Sequence, residues 1–151
     1  MSLITNPFSE SASFTSSSRS AIIPLVIKIP SSFKAFSDIE PLTPDFHEKL
    51  ARAENFASQN GDELTEILTG VGKAPMRNLT YYFIHRYFLS TDFSYRECAL
   101  FAVGSAALIL TLAHLSDGIT HENLISEAKY FSKNIEYSTE NVEIVLANLA
   151  E

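Results

Sequence analysis

Cys98 is the only cysteine in the chain. One thiol excludes an internal disulfide and any multi-cysteine metal cluster, and it suits a reducing compartment such as the cytoplasm. Tryptophan is absent altogether, which removes the residue most used to anchor membrane helices at their interfaces. Basic residues are in the minority: 11 lysines and arginines face 18 aspartates and glutamates, for a formal charge of −7. That balance repels phosphate backbones and argues against general nucleic-acid binding. Apolar residues make up 46% of the chain and charged ones 19%, the composition of an ordinary globular domain rather than of a disordered or fibrous chain. At 151 residues such a domain buries about 70% of the surface its unfolded chain exposes, so neither a disulfide nor a structural metal is required.

Several chemical signatures are also missing. His114 and His121 stand seven apart across Ser116-Asp117-Gly118, and there is no His-Glu-x-x-His pair, so no metal site is expected. The loop Thr69 to Ala74 contains Gly70 and Gly72 but lacks the Gly-Lys-Ser/Thr ending of a phosphate-binding loop. Val103-Gly-Ser-Ala-Ala107 lacks the second glycine of a hydrolase elbow. Cys98 with His85 or His114 would make a thiol–imidazole pair, but Cys98 lies in an apolar helical stretch where burial raises a thiol's pKa and makes it inert. The acidic pair Asp62-Glu63 opens a helix, where the helix dipole accounts for it. No catalytic residue can be assigned.

What is present divides into two parts. Residues 1–40 read as a Ser-rich disordered or extended segment. Eight of the first twenty residues are serine, and they cannot bury enough surface to offset their ordering entropy. Glu10 and the proline-broken run Ala21 to Ile29 do not suit a signal peptide, while the β-branched text ending at Pro30 suits one extended edge segment.

Residues 41–151 read as a helical domain. Thr43 is placed as an N-cap with Pro44 at the first helical position and Asn60-Gly61 as the stop, and Phe46, Leu50, Ala53 and Ala57 fall on one stripe. Further helices are expected over Asp62 to Leu68, from Pro75 to about Leu89, from Ser94 to about Leu115, from a Thr120 cap to about Asn134, and from a Ser138 cap onward. The fold class expected is all-α, a compact bundle of about six helices with a disordered Ser-rich N-terminal extension.

The stretch Cys98 to Ser116 runs nineteen residues without a formal charge and meets the length of a membrane span. His114 and Thr111 inside it, and acidic rather than basic residues after it, favour a buried central helix. Its small residues Gly104, Ser105, Ala106 and Ala107 then mark where another helix packs closely.

Charge is uneven. Gly70 to Glu97 holds four basic and two acidic residues, whereas two lysines face seven acids from Asp117 to the end. The segment Tyr81 to Phe88 packs aromatics, His85 and Arg86 into two turns, with His85 near Tyr81, Tyr82, Phe88 and Leu89, and Arg86 near Tyr82 and Phe83. An arginine over an aromatic face is worth about 0.5–2 kcal/mol. Tyr82, His85 and Arg86 are therefore the candidate substrate-binding residues, against the plainer reading of an aromatic core with a snorkelling arginine.

Two stretches resemble one family. Asn78-Leu-Thr-Tyr-Tyr-Phe-Ile-His-Arg-Tyr-Phe-Leu89, followed by the apolar helix that begins Arg96-Glu-Cys-Ala-Leu-Phe101, resembles the C-terminal half of flagellin lysine-N-methylases. The closing text Ala128-Lys-Tyr-Phe-Ser-Lys-Asn-Ile-Glu-Tyr-Ser-Thr-Glu-Asn-Val142 resembles that family's ending, with Ile135, Glu136, Ser138, Glu140 and Asn141 in agreement and Tyr137 in place of a histidine. The resemblance spans roughly Phe46 to Leu149. It implies methyl transfer from S-adenosylmethionine to lysine side chains of flagellin. It also implies a cysteine-rich metal or iron–sulfur region upstream of the matched part, and this sequence carries no such region. The expectation is a C-terminal helical part that is not catalytic alone. The alternative is a non-enzymatic helical protein-interaction module. Glu136 and Ser138 also have a local reading, with Ser138 capping the last helix and Glu136 pairing with a basic residue of the middle segment.

Overall fold

A computed structural model describes residues 29–90 and 92–151. The serine-rich start and the extended segment up to residue 28 lie outside the described residues. Seven α-helices and no strand occur among those described: α1 (Ile29–Lys34), α2 (Phe46–Gln59), α3 (Gly61–Thr69), α4 (Lys73–Tyr87), α5 (Tyr95–Asp117), α6 (His121–Phe131) and α7 (Thr139–Ala150), with a π turn over Ser132–Glu136 between the last two. The all-α expectation holds.

The uncharged stretch forms α5, and its surroundings explain its composition. Every residue from Gly104 to Ala113 is buried, and α5 touches all six other helices. A stretch enclosed in this way is apolar on all sides because no side of it meets water, while the two ends of α5 are exposed. A Cβ on Gly104 would lie 3.4 Å from the Ser32 Cβ, so the small-residue patch is where α1 seats on α5. Around this axis Phe36, Phe83, Phe101 and Phe131 interlock with ring centroids 5.5 to 6.4 Å apart, mostly edge to face. Each such pair adds about 0.5–1.5 kcal/mol beyond burial.

The domain boundary at residue 41 is corrected. Ile29, Phe33, Phe36 and Ile39 are all core residues, so residues 29–40 belong to the helical domain. Pro30 sits in the first turn of α1, where its missing N–H has no intrahelical partner to lose. The N-cap expected at Thr43 is also corrected. Asp45 occupies the cap position of α2, and the Thr43 hydroxyl donates instead to Asn134 Oδ1 at 2.8 Å. The stripe Phe46, Leu50, Ala53 and Ala57 is buried as expected, and both later caps form, Thr120 accepting from the Asn123 N–H and Ser138 from the Asn141 N–H. α4 ends two residues before Leu89, at Tyr87, and α6 gives way to the π turn after Phe131.

Three asparagines at intervals of seven hold the strap between α1 and α2. Asn148 donates to the Ala35 carbonyl and to Asp38, Asn141 bonds both the N–H and the carbonyl of Glu40, and Asn134 accepts the N–H and hydroxyl of Thr43. The strap thus runs antiparallel to the end of the chain. These amides satisfy backbone groups that no helix serves.

Gly72 closes the α3–α4 turn, its N–H donating to the Ile67 carbonyl at 2.8 Å. A Cβ there would lie 2.6 Å from both that oxygen and the Leu110 Cδ2. Gly72→Ala is therefore expected to lower stability by about 1–3 kcal/mol, seen as a lower urea midpoint; an unchanged midpoint would refute the close packing.

Candidate functional site

The candidate residues lie on the second half of α4, opposite the π turn. A π turn adds a residue to the helical repeat and re-aims the side chains at its end, and such turns are frequent at functional sites. Here the Tyr137 N–H reaches back to the Ser132 carbonyl at 2.9 Å, and Glu136 faces α4. Its Oε1 meets Tyr82 Oη at 3.1 Å, Tyr87 Oη at 2.9 Å and Arg86 Nε at 3.0 Å. The Arg86 Nε–H is shared, since Tyr87 Oη is 3.2 Å away. The Glu136 side chain is 5% exposed and that of Arg86 is 50%, so the carboxylate is enclosed while its counter-charge faces water.

Of the three residues singled out from sequence, Tyr82 and Arg86 converge on Glu136. His85 does not: it is exposed, and its Nδ1 bonds the Tyr81 carbonyl of the preceding turn at 2.8 Å. The Arg86 guanidinium lies 5.6 Å from the Tyr87 ring centroid, the ring it flanks. Tyr87 was missed because its helical spacing marks it as core, and its ring is indeed core, 5.1 Å from Phe101. Only its hydroxyl reaches the site. Glu136 pairing with the basic middle segment was legible from the uneven charge, and the partner is Arg86.

The electrostatics favour holding over proton transfer. Burial pushes the Tyr87 hydroxyl well above its ordinary range, and the Glu136 charge adds to this while Arg86 opposes it. Tyr82 is raised by burial first and by Glu136 next. Both hydroxyls therefore stay protonated as donors, and Glu136 Oε1 is engaged by three groups. The cluster joins α4 to the π turn and leaves the exposed Tyr82 ring for contact, while the Tyr87 ring is buried.

A second network joins the start of α2, the end of α5 and α6. Glu127 Oε1 accepts from Ser116 at 2.8 Å and pairs with Lys49 at 3.5 Å, Lys49 sits 4.0 Å from the Tyr130 ring centroid, and Tyr130 Oη donates to Asp45 at 2.8 Å. Burial, with Asp45 adding to it, raises Tyr130 to about 12. A folded-state pKa above the unfolded value of about 10 means stability that is complete below pH 10 and lost as pH rises through 12. Tyrosinate absorbance in the native chain is thus expected to rise at higher pH than in urea; superimposed curves would contradict the buried hydroxyls.

An open groove of about 740 Å³ runs between α1, the start of α5 and the end of α7, lined in part by Lys34, Asp38, Arg96 and Leu149. It contains none of the residues singled out from sequence. Among the described residues, no three His, Cys, Asp or Glu side chains gather where they would hold a metal ion. Cys98 is buried, as its apolar context indicated, and Ser105 lies fully enclosed within α5. Compared with family models, curated proteins and solved structures, the chain gives no match.

Proposed function

We propose that this chain is the C-terminal helical part of a flagellin lysine-N-methylase-like protein in the cytoplasm, without methyl transfer of its own, and that α4 contributes a contact surface for flagellin. One observation carries the reading. The two stretches that bear the family resemblance, one on α4 and one ending at the last helix, are joined by a single carboxylate oxygen although Tyr82 and Glu136 stand 54 positions apart. S-adenosylmethionine and the iron–sulfur or metal region enter this reading through the resemblance alone. No described residue is assigned to the methyl donor, and Glu136 Oε1 already serves three donors. Incubation with flagellin and labelled S-adenosylmethionine tests the proposal: capture of flagellin without label transfer is expected, and robust transfer by the chain alone would overturn it.

The second reading, a helical protein-interaction module with no methylase relationship, is favoured by the concentration of exposed aromatic side chains around α4. The gene neighbourhood separates the two. An adjacent flagellin gene, or an upstream frame encoding a cysteine-rich region, supports the methylase-like reading.

A further inference from the structure

Nine large apolar side chains are exposed among the described residues, and six of them, Tyr81, Tyr82, Phe88, Leu89, Tyr95 and Tyr137, cluster about the end of α4. Their arrangement follows from the helix. Tyr81 and Tyr82 lie on the outer face of α4, and Leu89 lies in the turn just past its end. Phe88 stacks on Tyr95 with centroids 4.5 Å apart and planes within 10°, which carries the strip from the end of α4 to the start of α5. Tyr137, an exposed ring, follows the carboxylate that holds Tyr82. Single exposed apolar residues are ordinary, but a group of them marks an interaction surface. Tyrosine, phenylalanine and arginine are also the residues enriched where proteins meet.

Charge identifies the kind of partner. α4 carries Lys73, Arg77 and Arg86 and no aspartate or glutamate, in a chain whose net charge is −7. Arg86 is matched by Glu136, whereas Lys73 and Arg77 are exposed on the same helix, Arg77 one turn before Tyr81. A peptide lying along α4 is within a Debye length, about 10 Å at 0.1 M salt, of those cations, and along the chain the nearest acids are Glu66 before the helix and Asp92 after it. An anionic bilayer or a nucleic acid extends over more of the protein and meets more of its negative charge. The local field therefore favours a narrow acidic ligand over a broad one.

We propose that the outer face of α4, together with Tyr95 and Tyr137, docks an amphipathic acidic segment of a partner protein. The segment's apolar residues lie on the aromatic strip and its carboxylates face Lys73 and Arg77. This rests on the reading of α4 as a contact surface and names the chemistry that surface takes.

A fluorescein-labelled amphipathic peptide of glutamate and leucine at helical spacing is the probe, with a lysine-for-glutamate counterpart and phosphatidylserine vesicles as comparisons. Anisotropy of the glutamate peptide should rise with added protein and fall with salt, while the lysine peptide and the vesicles show little binding. Amide shifts should concentrate between residues 73 and 95 and at Tyr137. Arg77→Glu and Leu89→Ser, both at exposed positions, should each weaken binding about tenfold, and Tyr137→Ser provides an independent variant if either disturbs folding. Equal binding of both peptides, binding of neither, stronger capture by vesicles, or shifts confined to the groove beside α1 would overturn the proposal. Peptide binding without flagellin capture would keep the acidic-segment surface and remove flagellin as its partner. Flagellin capture with no binding of the glutamate peptide would do the reverse.

Discussion

Replacing Glu136 with alanine is expected to lower the free energy of unfolding by about 2–3 kcal/mol. The Tyr87 hydroxyl would lose its acceptor beside the core, and Tyr82 and Arg86 would lose theirs nearer to water. Glu136→Gln keeps an oxygen for the tyrosines and removes only the charge facing Arg86, which is half exposed, so its cost should be about 1 kcal/mol or less. The order of the two variants discriminates between causes. If glutamine costs as much as alanine, the ion pair rather than the tyrosine hydrogen bonds holds α4 to the π turn. Urea denaturation of both variants, with Tyr87→Phe in each background, measures the coupling directly.

Asn134→Ala should cost about 3 kcal/mol by a different route. This side chain is fully buried, its Oδ1 accepts from the Thr43 N–H at 2.9 Å and from the Thr43 hydroxyl at 2.8 Å, and its Nδ2 donates to the Tyr130 carbonyl at 2.9 Å. Truncation strands three polar groups and leaves a cavity. The local signature is faster hydrogen exchange at Thr43, whose N–H has its acceptor removed. Stability retained within 0.5 kcal/mol, or exchange unchanged at Thr43, would mean that the strap is held by the burial of Phe36 and Ile39 rather than by the asparagines.

The two variants mark the limits of what the sequence could reveal. Helical stripes such as Phe46-Leu50-Ala53-Ala57 were legible because a buried face repeats with the helix itself. The caps at Thr120 and Ser138 were legible because their partners are three residues away. Thr43 misled for the opposite reason. Thr-Pro before an amphipathic run looks like a helix start, but its hydroxyl serves Asn134, 91 positions away. α1 escaped notice because six residues with a proline in the second position have little intrinsic helicity, and the helix depends on Ile29 and Phe33 reaching the core.

The site was legible in outline only. Spacing along α4 correctly grouped Tyr82 with Arg86, but it also grouped His85, because spacing gives neighbours on a helix and not the direction a ring nitrogen takes. The convergence on one oxygen needed the π turn at 132–136, for which the local residues give no signal. The pair Asn141 and Asn148 could have been seen as an interval of seven on α7, since seven residues return a helix nearly to the same face, whereas Asn134 lies on the π turn before the cap.

The central claim is that the outer face of α4, the helix that Glu136 ties to the π turn, is where this protein meets its partner. Its most direct test is to titrate monomeric flagellin into the isotope-labelled chain and follow the backbone amides. The expected result is a set of shifts along Lys73–Leu89 and at Tyr95 and Tyr137, with an affinity about tenfold lower in Leu89→Ser. Shifts that appear only around the groove between α1 and α7, or none at saturating flagellin, would contradict it.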